Sequence, residues 1–221
     1  MKLLLKTLIA FLCGLLITGA MLFVPTGTLA YREAWLFIAL LFTPILIVSV
    51  VLLIRNPELL RKRLEMKERE KEQQHVVALS GLLLVASFIV AGLDHRFGWS
   101  HISGTIIIIA SAVLLVGYAL YAEVLRENVY LSRVVEVQKE QHVIDTGLYG
   151  IVRHPMYFAV TLLYLSIPLV LGSWWAQLLM SPCILLLAAR IKNEEQILHQ
   201  GLPGYTDYTK RVRYRMIPWI W

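Results

Sequence analysis

The sequence predicts an all-α integral membrane protein with about six transmembrane helices. Its 221 residues are 58% hydrophobic and only 16% charged, which makes the chain far more apolar than an ordinary soluble domain. Long apolar runs alternate with short polar segments, and in a six-span arrangement nineteen of the 21 Lys and Arg residues lie on one side. By the positive-inside rule that side is the cytoplasm, so both termini are expected there.

Residues 1–122 are expected to form a membrane scaffold of four spans. The apolar runs lie at about 3–24, 34–54, 76–93 and 102–121. The first run is interpreted as a retained span because it exceeds a typical signal core, with a signal peptide as the alternative. The charged residues between the second and third runs predict a helical connector on the lipid headgroups.

Two polar clusters flank the last pair of apolar runs, which lie at about 157–171 and 174–189. The first cluster covers residues 145–157 and ends at Pro155, a residue type that is favourable in the first turn of a helix. The second cluster contains Arg190, Asn193, Glu194 and Glu195. Two helices joined by a tight turn would return the chain to the same side of the membrane. The clusters are therefore predicted to form one site, facing the cytoplasm.

Residues of both clusters and of the tail carry a resemblance to a known family. They are Gly147, Tyr149, Val152, Arg153, His154, Pro155, Met156, Tyr157, Arg190, Glu194, Glu195, Tyr205, Tyr208, Arg213 and Pro218. The pattern resembles the signature of isoprenylcysteine carboxyl methyltransferases and their bacterial relatives, and it covers roughly the C-terminal half. The resemblance implies that residues 123–221 are a methyltransferase core, made of a cofactor loop, a helical hairpin and a C-terminal tail.

The resemblance also implies an S-adenosylmethionine site built without a Rossmann sheet, and the sequence contains no Gly-x-Gly-x-x-Gly fingerprint. The implied cofactor-binding residues are Gln138, Gln141, His142, Val143, Ile144, Tyr149, Arg153, His154, Pro155, Met156, Tyr157 and Glu194. Arg190 and Glu194 are four residues apart and share a helical face. In the predicted catalytic pair, Arg190 holds an anionic acceptor and Glu194 meets the cofactor. No metal site is expected.

Several of these residues have simpler interpretations. Arg190 and Glu194 could form only an ion pair at the end of a span. His154 could satisfy backbone groups at the start of a helix, and Glu195 could face water. Packing or interfacial roles are the alternative for two aromatic residues, Tyr205 and Tyr208.

The expected activity is methyl transfer from S-adenosylmethionine to a lipophilic acceptor, either a small molecule or a prenylated substrate, that enters from the bilayer. A carboxylate acceptor suits Arg190 best. The alternatives are N-methylation of a phospholipid or amine and a sterol-type reduction that uses NADPH. A transporter or non-enzymatic scaffold is disfavoured because the polar residues gather at the helix ends. The net charge of +6 is explained by topology and lipid headgroups, so nucleic acid is not an expected partner. Short loops favour a bacterial inner membrane.

Overall fold

The computed structural model describes residues 2–64, 71–131, 137 and 140–221, and these form helices with no strand among them. The helices are α1 (Lys2–Thr26), α2 (Arg32–Arg55), α3 (Pro57–Leu64), α4 (Lys71–Phe97), α5 (Gly104–Glu127), α6 (Pro155–Val170), α7 (Trp174–Met180), α8 (Cys183–Gly201) and α9 (Tyr205–Arg211). In the described part of the loop between α5 and α6, residues Gly147–Gly150 form a 3-10 turn. The predicted all-α class is confirmed.

Five helical segments in the described part of the chain are long and apolar enough to cross a bilayer. They are Leu3–Thr26, Arg32–Arg55, Gln74–Phe97, Gly104–Glu127 and Trp174–Gly201, the last of which combines α7 and α8. The other predicted span is α6, which has only 16 residues. At 1.5 Å per residue, α6 extends about 24 Å, which is less than the ~30 Å hydrocarbon core. The molecule is therefore a multi-pass membrane protein with one shorter apolar helix.

The hydrophobic core of the bundle is formed by α1, α2 and α4 to α7, with buried side chains such as Phe37, Leu114 and Ile167. Helices α5 and α6 pack very closely at Gly117. A Cβ atom at this position would lie 2.9 Å from Leu163 Cδ2 and 3.3 Å from the carbonyl oxygen of Ala159. Small residues permit such close approach between membrane helices. The close packing holds the N-terminal end of α6 beside the C-terminal end of α5.

One end of the bundle is held together by Asp94, which is only 1% exposed. Its Oδ1 atom accepts a hydrogen bond from the backbone N–H of Ser100 at 2.7 Å. Its Oδ2 atom accepts hydrogen bonds from the hydroxyls of Ser100 and Ser173. Ser173 also caps the N-terminus of α7 by accepting the N–H of Ala176. Asp94 thus links the end of α4 to the loop before α5 and to the turn between α6 and α7.

Candidate functional site

A pocket lies at the other end of α5 and α6, between the loop that joins them and helices α8 and α9. The space that it encloses, counted together with its open mouth, is about 870 Å³. The lining residues are Asn128, Tyr130, Leu131, Gln141, His142, Val143, Ile144, Tyr149, Arg153, His154, Met156, Tyr157, Arg190, Glu194, Ile197, Leu198, Leu202, Tyr205 and Tyr208. The two polar clusters therefore meet in one cavity.

The wall formed by the loop is anchored to α5 through Gly147 and its neighbour. The carboxylate of Glu127 accepts the N–H of Leu148 at 3.1 and 3.3 Å. Gly147 has a φ of +52°, and a Cβ atom there would lie only 1.4 Å from Glu127 Oε1. Glycine avoids both the steric overlap and the cost of a left-handed backbone.

Tyr149 is held from two sides. The side-chain amide of Asn128 donates to the Tyr149 hydroxyl at 2.9 Å. The hydroxyl of Tyr208, in α9, donates to the Tyr149 carbonyl oxygen at 2.7 Å. These contacts connect the loop to the end of α5 and to the tail, so Tyr149 occupies a defined position in the pocket wall.

Tyr157 lies between the two residues of the predicted catalytic pair. Arg190 Nε donates to the Tyr157 oxygen at 2.9 Å, and the Tyr157 hydroxyl donates to Glu194 Oε2 at 2.5 Å. The tyrosine is only 3% exposed, so a buried phenol joins two partly exposed charged groups through charge-assisted hydrogen bonds. Arg190 and Glu194 are thus linked through a phenol from α6.

Glu195 is buried, so the interpretation that it faces water is wrong. Its Oε1 atom accepts Arg153 Nε at 2.7 Å and lies 3.3 Å from His154 Nε2. Its Oε2 atom accepts Arg215 Nε at 2.7 Å. The side chains of Glu195 and Arg153 are only 6% and 8% exposed, and buried charges require such partners. Glu195 therefore neutralises a cationic cluster behind the pocket wall.

Arg153 also fixes the tail. Its Nη1 atom donates to the carbonyl oxygens of Val212 and Arg213, both at 2.8 Å. The backbone N–H groups of Arg153 and His154 donate to the carbonyl oxygens of Tyr214 and Arg215. His154 does satisfy backbone groups at the start of α6, because its carbonyl oxygen accepts the N–H groups of Tyr157 and Phe158, but its side chain makes no capping hydrogen bond. Arg153 and His154 therefore connect the C-terminal tail to the loop, and they also line the pocket.

The structure brings together most of the residues that the sequence singled out. Lining positions are occupied by Gln141, His142, Val143, Ile144, Tyr149, Arg153, His154, Met156, Tyr157, Arg190 and Glu194. Pro155 does not line the pocket; it is buried in the first turn of α6. Gln138 lies outside the described residues. The roles of all these residues in binding or catalysis stay predictions.

Sequence reasoning missed several lining residues. Ile197 and Leu198 line the pocket, and they follow Glu194 by three and four positions. Residues at this spacing share a helical face, so extending the pattern of Arg190 and Glu194 by one turn would have found them. Tyr130 was also missed; its hydroxyl lies 2.9 Å from His142 Nδ1, a contact that no local pattern signals.

Comparison with known proteins gives one family match and no match to a curated protein. Residues 99–202 match the family model described as phospholipid methyltransferase. The match covers slightly less than half of the chain and extends from the loop before α5 to the end of α8 and the following residue. It includes the first cluster, α6 and the second cluster. The match supports a membrane-embedded methyltransferase, with the acceptor open between a carboxylate and a phospholipid amine.

Proposed function

We propose that this protein transfers a methyl group from S-adenosylmethionine to a lipophilic acceptor at the membrane surface. The observation that carries the proposal is the pocket in which Arg190, Tyr157 and Glu194 form one hydrogen-bonded chain. The match to the phospholipid methyltransferase family supports the reaction type. All of the lining residues except Tyr205 and Tyr208 lie within the matched stretch.

The residues present suit this methyl donor, which supplies an electrophilic methyl group on a sulfonium centre and also carries an ammonium and a carboxylate. Glu194 would attract the positive groups, and the rings of Tyr149 and Tyr157 could contact them through cation–π interactions. The side chains of Gln141 and His142 add polar groups at the same cavity. The charged and aromatic residues that line the pocket support this assignment.

The first candidate for the acceptor is a carboxylate on an apolar chain. The Arg190 guanidinium would hold the carboxylate, since arginine matches carboxylate geometry well. The apolar side chains of Leu131, Met156 and Ile197 line the same cavity and would contact the hydrocarbon part. An ionised oxygen needs no general base, so alignment of the acceptor by these residues would supply much of the acceleration.

N-methylation of a phospholipid amine is the second candidate, and the family match favours it specifically. An ammonium acceptor must lose a proton before it can attack a methyl group. Glu194 lines the pocket and could accept that proton. With a carboxylate acceptor, Glu194 would only bind the methyl donor. With an amine acceptor, it would also accept a proton.

The proposal includes the arrangement of the chain in the membrane. Residues 1–122 would serve as scaffold and residues 123–221 as methyltransferase core, with the pocket and both termini on the cytoplasmic side. The charge distribution supports this orientation, because of the 21 Lys and Arg residues only Arg32 and Arg96 would lie on the opposite side of the membrane. The orientation suits a methyl donor that is made in the cytoplasm and an acceptor that arrives through the bilayer.

Isothermal titration calorimetry of detergent-purified protein with S-adenosylmethionine, S-adenosylhomocysteine and NADPH tests the proposal. We expect the wild type to bind both adenosyl ligands and not NADPH, and we expect Glu194→Ala to weaken that binding at least tenfold. Glu123→Ala, an exposed carboxylate in α5 that pairs with Arg126, is the matched control and should bind normally. Binding of NADPH alone would overturn the proposal in favour of a reductase.

A further inference from the structure

Tyr205 is a buried tyrosine whose hydroxyl has no hydrogen-bond partner among the residues that the structure describes. Its side chain lines the pocket, and the residue is only 4% exposed. Tyr208, one turn later in α9, is equally buried but donates its hydroxyl to the Tyr149 carbonyl oxygen. The two tyrosines look alike in sequence, yet only the hydroxyl of Tyr208 forms a hydrogen bond with the described residues.

The surroundings of Tyr205 show what kind of group its hydroxyl would meet. The ring packs edge-on against His199, with centroids 5.0 Å apart. Burial raises the pKa of Tyr205 far above its usual value, and the nearby carboxylates of Glu195 and Glu194 raise it further, while Arg153 opposes them. The phenol therefore stays neutral, and its O–H is available as a donor in a strongly charged part of the pocket.

An unsatisfied hydroxyl in the interior is costly, and native proteins rarely keep one without a reason. A bound ligand that supplies the missing partner would remove this cost. The hydroxyl can donate to a carboxylate or accept from an ammonium. Both groups occur at the amino-acid end of S-adenosylmethionine, and the negative charge of Glu194 suits the ammonium of that end better than the uncharged adenine ring.

We propose that the hydroxyl of Tyr205 binds the amino-acid end of the methyl donor. This inference rests on the proposed function and adds a ligand-binding residue to it. Tyr205 is then a binding residue and not, as its position in the sequence suggested, a packing residue alone.

The test compares Tyr205→Phe with the wild type by calorimetry, using S-adenosylhomocysteine and 5′-methylthioadenosine, which lacks the amino-acid end. We expect Tyr205→Phe to weaken S-adenosylhomocysteine binding about tenfold, equivalent to about 1.4 kcal/mol, and to leave methylthioadenosine binding unchanged. The ligand-free variant should melt no lower than the wild type, because no hydrogen bond within the described fold is lost. Tyr118→Phe, in the middle of α5 and outside the pocket, is the matched control.

The outcomes separate the two proposals. If the wild type binds S-adenosylhomocysteine and Tyr205→Phe binds it equally well, the role of Tyr205 is refuted while the proposed function stands. An equal loss for both ligands would refute the assignment to the amino-acid end. If the wild type binds neither ligand, the proposed function fails and the inference fails with it.

Discussion

Replacing Glu195 with Gln should strongly destabilise the protein. The substitution keeps the size of the side chain but removes the charge that neutralises Arg153 and Arg215, and the Arg153 side chain is only 8% exposed. Breaking a buried ion pair by removing one partner typically costs about 3–5 kcal/mol. For a chain of this size, about 2–4 °C per kcal/mol converts that loss into a melting temperature lower by roughly 6–20 °C.

Thermal unfolding in detergent at a fixed scan rate measures this effect. Glu123→Gln provides the comparison, because Glu123 also pairs with an arginine but lies on an exposed helix face, with Arg126 72% exposed at its side chain. Exposed pairs contribute little, so the Glu123 variant should melt like the wild type. Equal melting temperatures for Glu195→Gln and Glu123→Gln would refute the structural role of the buried carboxylate.

Three further substitutions test other parts of the account. Gly147→Ala should weaken calorimetric binding of S-adenosylhomocysteine, because alanine is strained at a φ of +52° and its Cβ would displace the Glu127 carboxylate that holds the loop. Combination with Glu127→Ala should restore the binding only in part, and normal binding by the single variant would contradict the loop geometry. Tyr157→Phe should lower the same affinity tenfold or more, since it frees the Glu194 side chain; an unchanged affinity would show that the phenol does not organise the site. Asp94→Asn should lower the free energy of unfolding by about 1–3 kcal/mol in thermal unfolding, because it leaves the hydroxyl donors of Ser100 and Ser173 unsatisfied. The ligand affinity should not change, and a loss of affinity would contradict the location of Asp94 at the far end of the bundle.

The fold class could be predicted because hydrophobicity and length alone identify membrane helices. The convergence of the two polar clusters was also predictable, since a hairpin of two apolar helices must return to its starting side. The end of α6 at Val170 was also predicted to within one residue, because the apolar run was expected to end at about residue 171. The continuation of α8 to Gly201, beyond the end of its apolar run at about residue 189, was not predicted, because the polar residues that follow the run carry no hydrophobic signal.

The environment of Glu195 could not be read from local sequence. One of its partners, Arg215, lies twenty residues later in the tail, and the tail returns to the loop through backbone hydrogen bonds to Arg153 and His154. Helical periodicity describes neighbours three or four residues apart and carries no information on such contacts. From the sequence alone, Glu195 could therefore either belong to the site or face water. The position of the tail decides between these two interpretations.

The roles of the tyrosines also depended on the three-dimensional arrangement. Tyr157 was expected at the cofactor site, but its position between Arg190 and Glu194 depends on how α6 and α8 pack. Tyr205 and Tyr208 carry the same functional group at neighbouring turns, and only the structure shows that the Tyr208 hydroxyl is bonded whereas the Tyr205 hydroxyl has no partner among the described residues. Sequence pattern identifies such residues as candidates, and packing decides which atoms they contact.

Transfer of a radiolabelled methyl group is the most direct measurement of the central claim. Purified protein would be incubated with labelled S-adenosylmethionine and either an S-farnesylcysteine derivative with a free carboxylate or phosphatidylethanolamine vesicles. We predict label in the farnesylcysteine product that base releases as methanol, as an ester requires. Base-stable label in the phospholipid alone would contradict the carboxylate acceptor in favour of N-methylation, and no transfer to either lipid would contradict the proposed methyltransferase activity.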